Sequence, residues 1–540
     1  MPVPSDVDLR PKPLFSKIII PASVERTLPS LVTYIDMVKK RDALNHTFCV
    51  FFVTPAYASQ LLDENSFLSA AIRRAYRCLL DRKGVVIEAL CAVVDKLPVS
   101  RALGNKGVLS GDEASQYGIK PPVAGTGFEG MAYVLLTPHS SVSSEELSPS
   151  DNGVIDFITA QHNLGDSTHR DTLRLPLANT VFQTGAPTTM FLSQWRTLGC
   201  DHEIELISKT NVSHHGIRLS GRINPSALAT AFSIPLIPLT TPRVVKGCMG
   251  NIIREVVDPD GQTVQASSEL ESVVPRFFRS RGQPAQATVA WALVLPEHLR
   301  ATAYHKTRHL LAIGPTDGEA GYTKQEELWE RLWCSDPPVW NNLVAEAIAN
   351  GARLHRVLSG GGGWGKKAGL LSLDPVPANQ STISSGDALL EMVDDPKDFE
   401  STLTPVVRAG ESIQFFISPK SDLSQEASQS DSLEKLRLIP QTIDDHTWGW
   451  EIGTIPSTMD SIPGASWQHR PFQKDDKSVM FRGGFGALTE GGLTLTQHSV
   501  RPNEDNSLAV NTTMVDVPFS RFWAVNLPKI MSKRVKVGLK

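Results

Sequence analysis

The run Ser359-Gly360-Gly361-Gly362-Gly363-Trp364-Gly365-Lys366-Lys367 constrains this chain more than any other segment. Glycines this dense cost so much backbone entropy that a helix or strand ends among them. They mark places where the backbone turns with positive φ or lets something approach its amides. The run follows the strand-like Leu354-His355-Arg356-Val357-Leu358 and precedes Ala368-Gly369-Leu370-Leu371. We expect at least two of Gly360, Gly361, Gly362, Gly363 and Gly365 to hold positive φ. With Ser359, Lys366 and Lys367 they form the candidate ligand-binding set, in which free amides and two ammonium groups would hold a phosphate or other anionic ligand.

The run meets the phosphate-loop pattern G-x-x-x-x-G-K-[ST] from Gly360 to Lys366 and fails at Lys367, where the hydroxyl that holds Mg²⁺ belongs. Gly369 and Asp374-Pro375 also spoil the helix that should follow. The same glycines satisfy G-x-G-x-x-G, but Val376 to Thr382 does not read as the second strand of a dinucleotide fold. A tight structural turn that seats Trp364 in a core is the competing reading.

At 540 residues the chain is too long for one ordinary core and predicts about three packed units. Hydrophobic residues at 41% and charged residues at 20% are ordinary globular usage. A net charge of −4 gives no broad positive field for nucleic acid or anionic lipid. The basic clusters are local: Arg276, Arg279 and Arg281, and the tail Lys529 to Lys540. We therefore read no strong nucleic-acid signal. No apolar stretch approaches the roughly 20 residues of a membrane helix, so no membrane span is expected. Six cysteines without a C-x-x-C pair read as reduced thiols, and no secretory or standard mitochondrial leader is evident. Together these place the protein inside the cell, in the cytoplasm ahead of the mitochondrion.

The fold class we expect is α+β and multidomain, with an α/β N-terminal unit followed by strand-rich units. Ile18-Ile19-Ile20 and Phe48 to Val53 read as buried strands, Leu31 to Lys40 and 57–82 as helical, and Val85 to Val94 as a further strand. That order gives an α/β unit over 1–137, and Ser, Pro and acids make 138–153 a linker. A strand-rich α+β unit spans 154–300. Within it Ile252 to Val257 and Thr263 to Gln265 form a hairpin across Asp258-Pro259-Asp260-Gly261, followed by a helix capped by Ser268. A helical region with the glycine loop covers 301–417, a second linker 418–433, and a strand-rich C-terminal unit 434–540. There Phe481 to Leu495 suggests a hairpin with close backbone packing at its glycines.

Other chemistry-bearing residues are weaker signals. Leu90 to Asp95 resembles an apolar strand ending in a Mg²⁺-orienting aspartate. Cys200, His202, His214 and His215 fit no zinc spacing, and adjacent His214 and His215 point to opposite faces of a strand. His355 lies about 13 Å up the strand from Ser359, too far to activate it. Asp394-Asp395 and Asp444-Asp445 read as solvated turns. The sequence thus assigns no catalytic residue, no metal site and no cofactor.

Arg353 to Ser359, the glycine run and Leu370 to Pro375 resemble a motif of hypothetical proteins of filamentous fungi. The resemblance covers about two dozen residues and implies a eukaryotic source without an activity. We read a non-enzymatic scaffold or assembly factor with protein partners. The alternative is an enzyme or ligand-binding protein that uses residues 359–369 to hold a phosphate-containing ligand.

Overall fold

A computed structural model of the protein describes residues 15–21, 27–63, 67–98, 126–147, 150, 153–164, 167–199, 203–219, 228–286, 288–312, 325–335, 339, 341–360, 369–375, 406–418, 448–457, 478–500 and 508–526. It is a strand-rich α+β protein with several sheets, one closed into a barrel. The chain forms two compact units: Met1–Phe232 with Ala427–Ala509 and Pro518–Lys540, and Ser233–Glu426 with Val510–Val517.

In the first unit the apolar run Phe48–Val53 is buried along its whole length. It lies at the centre of a seven-stranded sheet in the order Ser478–Arg482, Ser16–Pro21, Met131–Leu136, Phe48–Val53, Val86–Val93, Met190–Thr197, Ile204–Asn211. Phe48–Val53 and Val86–Val93 run parallel. Parallel neighbours need a long crossover, and residues 54–85 provide it through the 3-10 helix Pro55–Leu61 and the helix Ser69–Ala75. The long helix expected over 57–82 is therefore broken. Leu31 to Lys40 also holds only short turns, because Leu28–Leu31 and Val32–Tyr34 give way to extended backbone at Ile35.

Alternation sorts the side chains of Phe48–Val53 onto two faces. Cys49, Phe51 and Val53 join the helix-covered core with Tyr57, Ile72 and Tyr76. On the opposite face Phe52 lies 4.7 Å from Phe485 and 6.2 Å from Phe157, whose ring is 5.9 Å from Trp450. Phe157 belongs to a second sheet containing, in order, Leu493–Val500, Ser167–Pro176, Val154–Leu164, His214–Arg218 and Ser141–Val142. Phe485 and Trp450 belong to a third, ordered Leu228–Ser233, Arg521–Asn526, Trp448–Thr454, Gly484–Thr489. One aromatic cluster thus joins three sheets. The stretch expected as a linker at 138–153 contributes the short strand Ser141–Val142, with Val142 buried.

The hairpin expected within Phe481 to Leu495 does not form. Gly484–Thr489 pairs with Trp448–Thr454 in parallel, whereas Leu493–Val500 pairs with Ser167–Pro176 in a different sheet. The close packing expected at the glycines is present: a Cβ on Gly486 would fall 1.8 Å from the backbone oxygen of Glu451.

The second unit is built on six antiparallel strands in the cyclic order Ser412–Ile417, Arg243–Met249, Ile252–Val257, Leu371–Leu373, Arg353–Gly360, Ala290–Leu295. Ala290–Leu295 pairs back onto Ser412–Ile417 and closes the barrel. Closure leaves no free edge along that ring. The expected hairpin is present, with Val257 opposite Thr263, and Asp258 Oδ1 accepts the amides of Asp260 and Gln262 in its turn. The helix after it is Ala266–Ser280, capped at Gln265, one turn before the expected Ser268, whose hydroxyl instead donates to the Gln265 carbonyl. Its Leu270, Phe277 and Phe278 pack with Trp329 and Trp333 of the helix Gln325–Cys334 and with Phe415. Among the described residues no helix is long and apolar enough to cross a membrane.

Candidate functional site

The glycine run joins two neighbouring strands of the barrel. Arg353–Gly360 and Leu371–Leu373 are antiparallel, with Gly360 opposite Leu371 and Ser359 opposite Ser372, after a register shift beyond Val357. Ser359 and Gly360 end the first strand. Gly361, Gly362, Gly363, Gly365, Lys366 and Lys367 lie outside the described residues, as does Trp364. At the far side Gly369 has φ +82, where a Cβ would meet Gln265 at 2.4 Å, and its carbonyl accepts the Ser267 amide. Phosphate loops and dinucleotide folds both place a helix after their glycines. Residues 371–373 are a strand returning beside the first, and among the described residues no helix lies between Gly369 and Asp374.

His355 is buried in the same strand. Its Nδ1 lies 3.0 Å from the Asp374 carbonyl and donates to it, leaving Nε2 without a partner among the described residues. Burial pushes its pKa down to about 4, opposed by the Asp374 carbonyl and assisted by Arg353. Arg353 itself donates to Glu411 at 3.0 and 3.1 Å.

Asp95, just past the end of Val86–Val93, is half-buried and bonded within the fold. Its Oδ2 accepts the Glu490 amide at 2.9 Å, and Lys96 and Leu488 bridge beside it. Burial pushes the Asp95 carboxyl up to about 6, with the Glu490 amide and Thr489 hydroxyl pulling it back. Because the folded state holds this proton to higher pH than the unfolded chain, the contribution to stability is full below pH 3.8 and is lost as pH rises through about 6. Asp95→Asn retains an acceptor and removes the half-buried charge. It is expected to stabilise the protein at pH 7 by about 1–3 kcal/mol and to change little at pH 3.5, as read from urea unfolding at the two pH values.

Two of the four candidate zinc ligands, Cys200 and His202, lie outside the described residues. The other two do face opposite ways. His214 Nε2 is 2.8 Å from Asp156 Oδ2, and Asp156 also accepts Nε and a terminal nitrogen of Arg174, both at 2.8 Å. Burial works to raise the Asp156 pKa, but the bonds from Arg174 and His214 outweigh it and hold the carboxyl below its usual range. His215 Nε2 lies 3.1 Å from Ser141 Oγ, and Ser141 donates its hydroxyl proton to Glu88 Oε1 at 2.7 Å. Burial, then the neighbouring His214, pushes the His215 pKa down to about 4.

A serine beside a histidine invites comparison with a nucleophile and its base. Here the hydroxyl proton points at Glu88, so His215 must donate to Ser141 Oγ and not accept from it. A base with a pKa near 4 is also far from the operating range of a general base. The arrangement ties Val86–Val93 to Ser141–Val142 and His214–Arg218. Sequence reasoning did not find it, because Ser141 sits in a polar segment and its partners are 53 and 74 residues away.

Of the basic cluster, Arg276 faces Glu326 and Glu330 at 3.7 Å, while Arg281 donates to the Trp333 carbonyl and lies over the Phe277 ring. Arg279 is exposed, and the tail from Lys529 lies outside the described residues, as do Asp394-Asp395 and Asp444-Asp445. Among the described residues no group of three or more His, Cys, Asp or Glu is placed to hold a metal ion. Compared with protein-family models, with curated proteins and with solved structures, the chain matches none of them.

Proposed function

We propose that the protein acts through its surfaces, as a non-enzymatic scaffold or assembly factor with protein partners inside the cell. The observation that carries this reading is the Ser141–His215–Glu88 arrangement, whose bonds are spent on joining strands and not on activating a nucleophile. Asp95 and the Asp156–His214–Arg174 group are spent in the same way. The five described cysteines are free thiols, which supports a reducing compartment. The chain at its native level is expected to sediment from extract in an assembly of fixed stoichiometry. Sedimentation as a lone 58.9 kDa chain would count against the proposal.

The second reading, an anion held by the glycine run, is favoured by the pairing of Gly360 with Leu371, which pins both ends of the segment carrying Lys366 and Lys367. If it holds, phosphate or a nucleotide raises the melting temperature and Lys366→Ala abolishes the rise. No shift with millimolar phosphate, ATP, GTP or NAD would remove it.

A further inference from the structure

One row of the seven-stranded sheet sets two cationic side chains next to each other. Lys17 stands directly opposite Arg482 on one side and Tyr133 on the other. Side chains so paired share a face with Cβ atoms about 4.5–5.5 Å apart, and like charges in that position are destabilising. Lys17 is 3% exposed, and its Nζ donates to Asp36 Oδ1 at 2.9 Å and to the Tyr34 carbonyl at 2.8 Å. Asp36 Oδ2 accepts from the Tyr133 hydroxyl at 3.2 Å, and that hydroxyl accepts the Asp36 amide at 2.9 Å. Arg74, on the helix Ser69–Ala75, donates to the carbonyls of Ile35 and Thr33.

These bonds anchor residues 33–36 over the sheet and leave an imbalance. Asp36 is the single carboxylate acting on Lys17 among the described residues, against the two like charges of Arg74 and Arg482. Both Asp36 oxygens are already engaged. An ammonium has three donors and two are used here; Arg74 keeps further N–H groups beyond its two carbonyl bonds. Arg482 is exposed, and among the described residues its side chain makes no hydrogen bond or ion pair, its backbone being paired in the sheet with Ser16–Pro21.

We infer that Lys17, Arg74 and Arg482 form a binding site for a phosphate-type oxyanion, with Lys17 as its buried floor and Arg482 as its exposed arm. An oxyanion there turns the unfavourable Lys17–Arg482 neighbours into partners of one charge. A guanidinium gives two parallel donors to such a group, which a lone ammonium cannot. The site lies in the first unit and does not depend on the glycine run.

The test is calorimetric titration of the full chain with inorganic phosphate, and with phenyl phosphate to tell a free ion from an ester, at constant ionic strength set with chloride. Wild type is expected to bind at least one of the two. Arg482→Gln, at an exposed position, is expected to weaken binding tenfold or more, Arg74→Gln likewise, and Lys366→Ala to leave it unchanged. Melting curves of each variant show whether it is folded. Absence of binding in wild type, or binding that survives Arg482→Gln, overturns the inference. Binding lost only in Lys366→Ala assigns the anion to the glycine run and overturns it equally.

Discussion

Between pH 6.5 and pH 4 the barrel is expected to lose about 3 kcal/mol of stability through His355 alone. Its folded pKa is near 4 and its unfolded value 6.5, so the folded state binds fewer protons across that window. The stability it contributes is present above pH 6.5 and is lost as pH falls through about 4, at about 1.4 kcal/mol for each pH unit. Glu269 and Asp516, both raised by burial, act in the opposite sense at lower pH, so the effect is best isolated by substitution. His355→Asn keeps a donor for the Asp374 carbonyl and cannot gain the proton. Hydrogen exchange in Arg353–Gly360 should therefore accelerate toward pH 4 in wild type by more than it does in the variant, after correction for the intrinsic rate. Identical pH slopes would refute a buried neutral His355. In the first unit His215 has the same sign, but Asp95 gains protonation stability over nearly the same range, so the net acid effect there is smaller.

Asp156→Ala is expected to destabilise the first unit by about 3–5 kcal/mol. Asp156 is 1% exposed and serves both Arg174 and His214, so its loss removes the two bonds it accepts from the guanidinium and the one it shares with the imidazole, and takes a buried anion from beside a cation. Asp156→Asn retains one acceptor and should cost less than the alanine variant. Urea unfolding reads both, as a fall in midpoint without a change in slope. A loss under 1 kcal/mol in Asp156→Ala would show that neighbouring groups or solvent replace the carboxylate.

What was legible in the sequence was local. Phe48–Val53 is recognisable because a six-residue apolar run has no solvent face to offer, and the turn after Val257 because the proline and Asp-Gly of Asp258-Pro259-Asp260-Gly261 are turn chemistry; the structure adds the Asp258 bonds to the amides of Asp260 and Gln262. The α/β character of the N-terminal part followed from strand, helix, strand order. What was illegible depends on distant pairing. Gly484–Thr489 and Leu493–Val500 are adjacent in sequence and have the pattern of a hairpin, yet Gly486 must pack on the Glu451 backbone and Asp95 holds the Glu490 amide, so the two strands part. Ser141 looked like linker because its partners, Glu88 and His215, lie far along the chain. Lys17 carried no signal at all: an isolated lysine beside three isoleucines reads as a strand end, and only pairing with Arg482 and Tyr133 gives it a context.

That the chain's chemistry-bearing residues serve the fold and not a reaction is tested most directly by one variant, Ser141→Ala/Ser359→Ala/Asp95→Asn. It removes both serine hydroxyls and the Asp95 carboxylate while keeping the backbone and most packing. In a host whose own copy is replaced by this variant, at native expression and with the melting temperature of the purified protein checked, growth should match that of the wild-type host wherever deletion is detectable. A folded variant that behaves like the deletion would contradict the account and point to catalysis at one of those three residues.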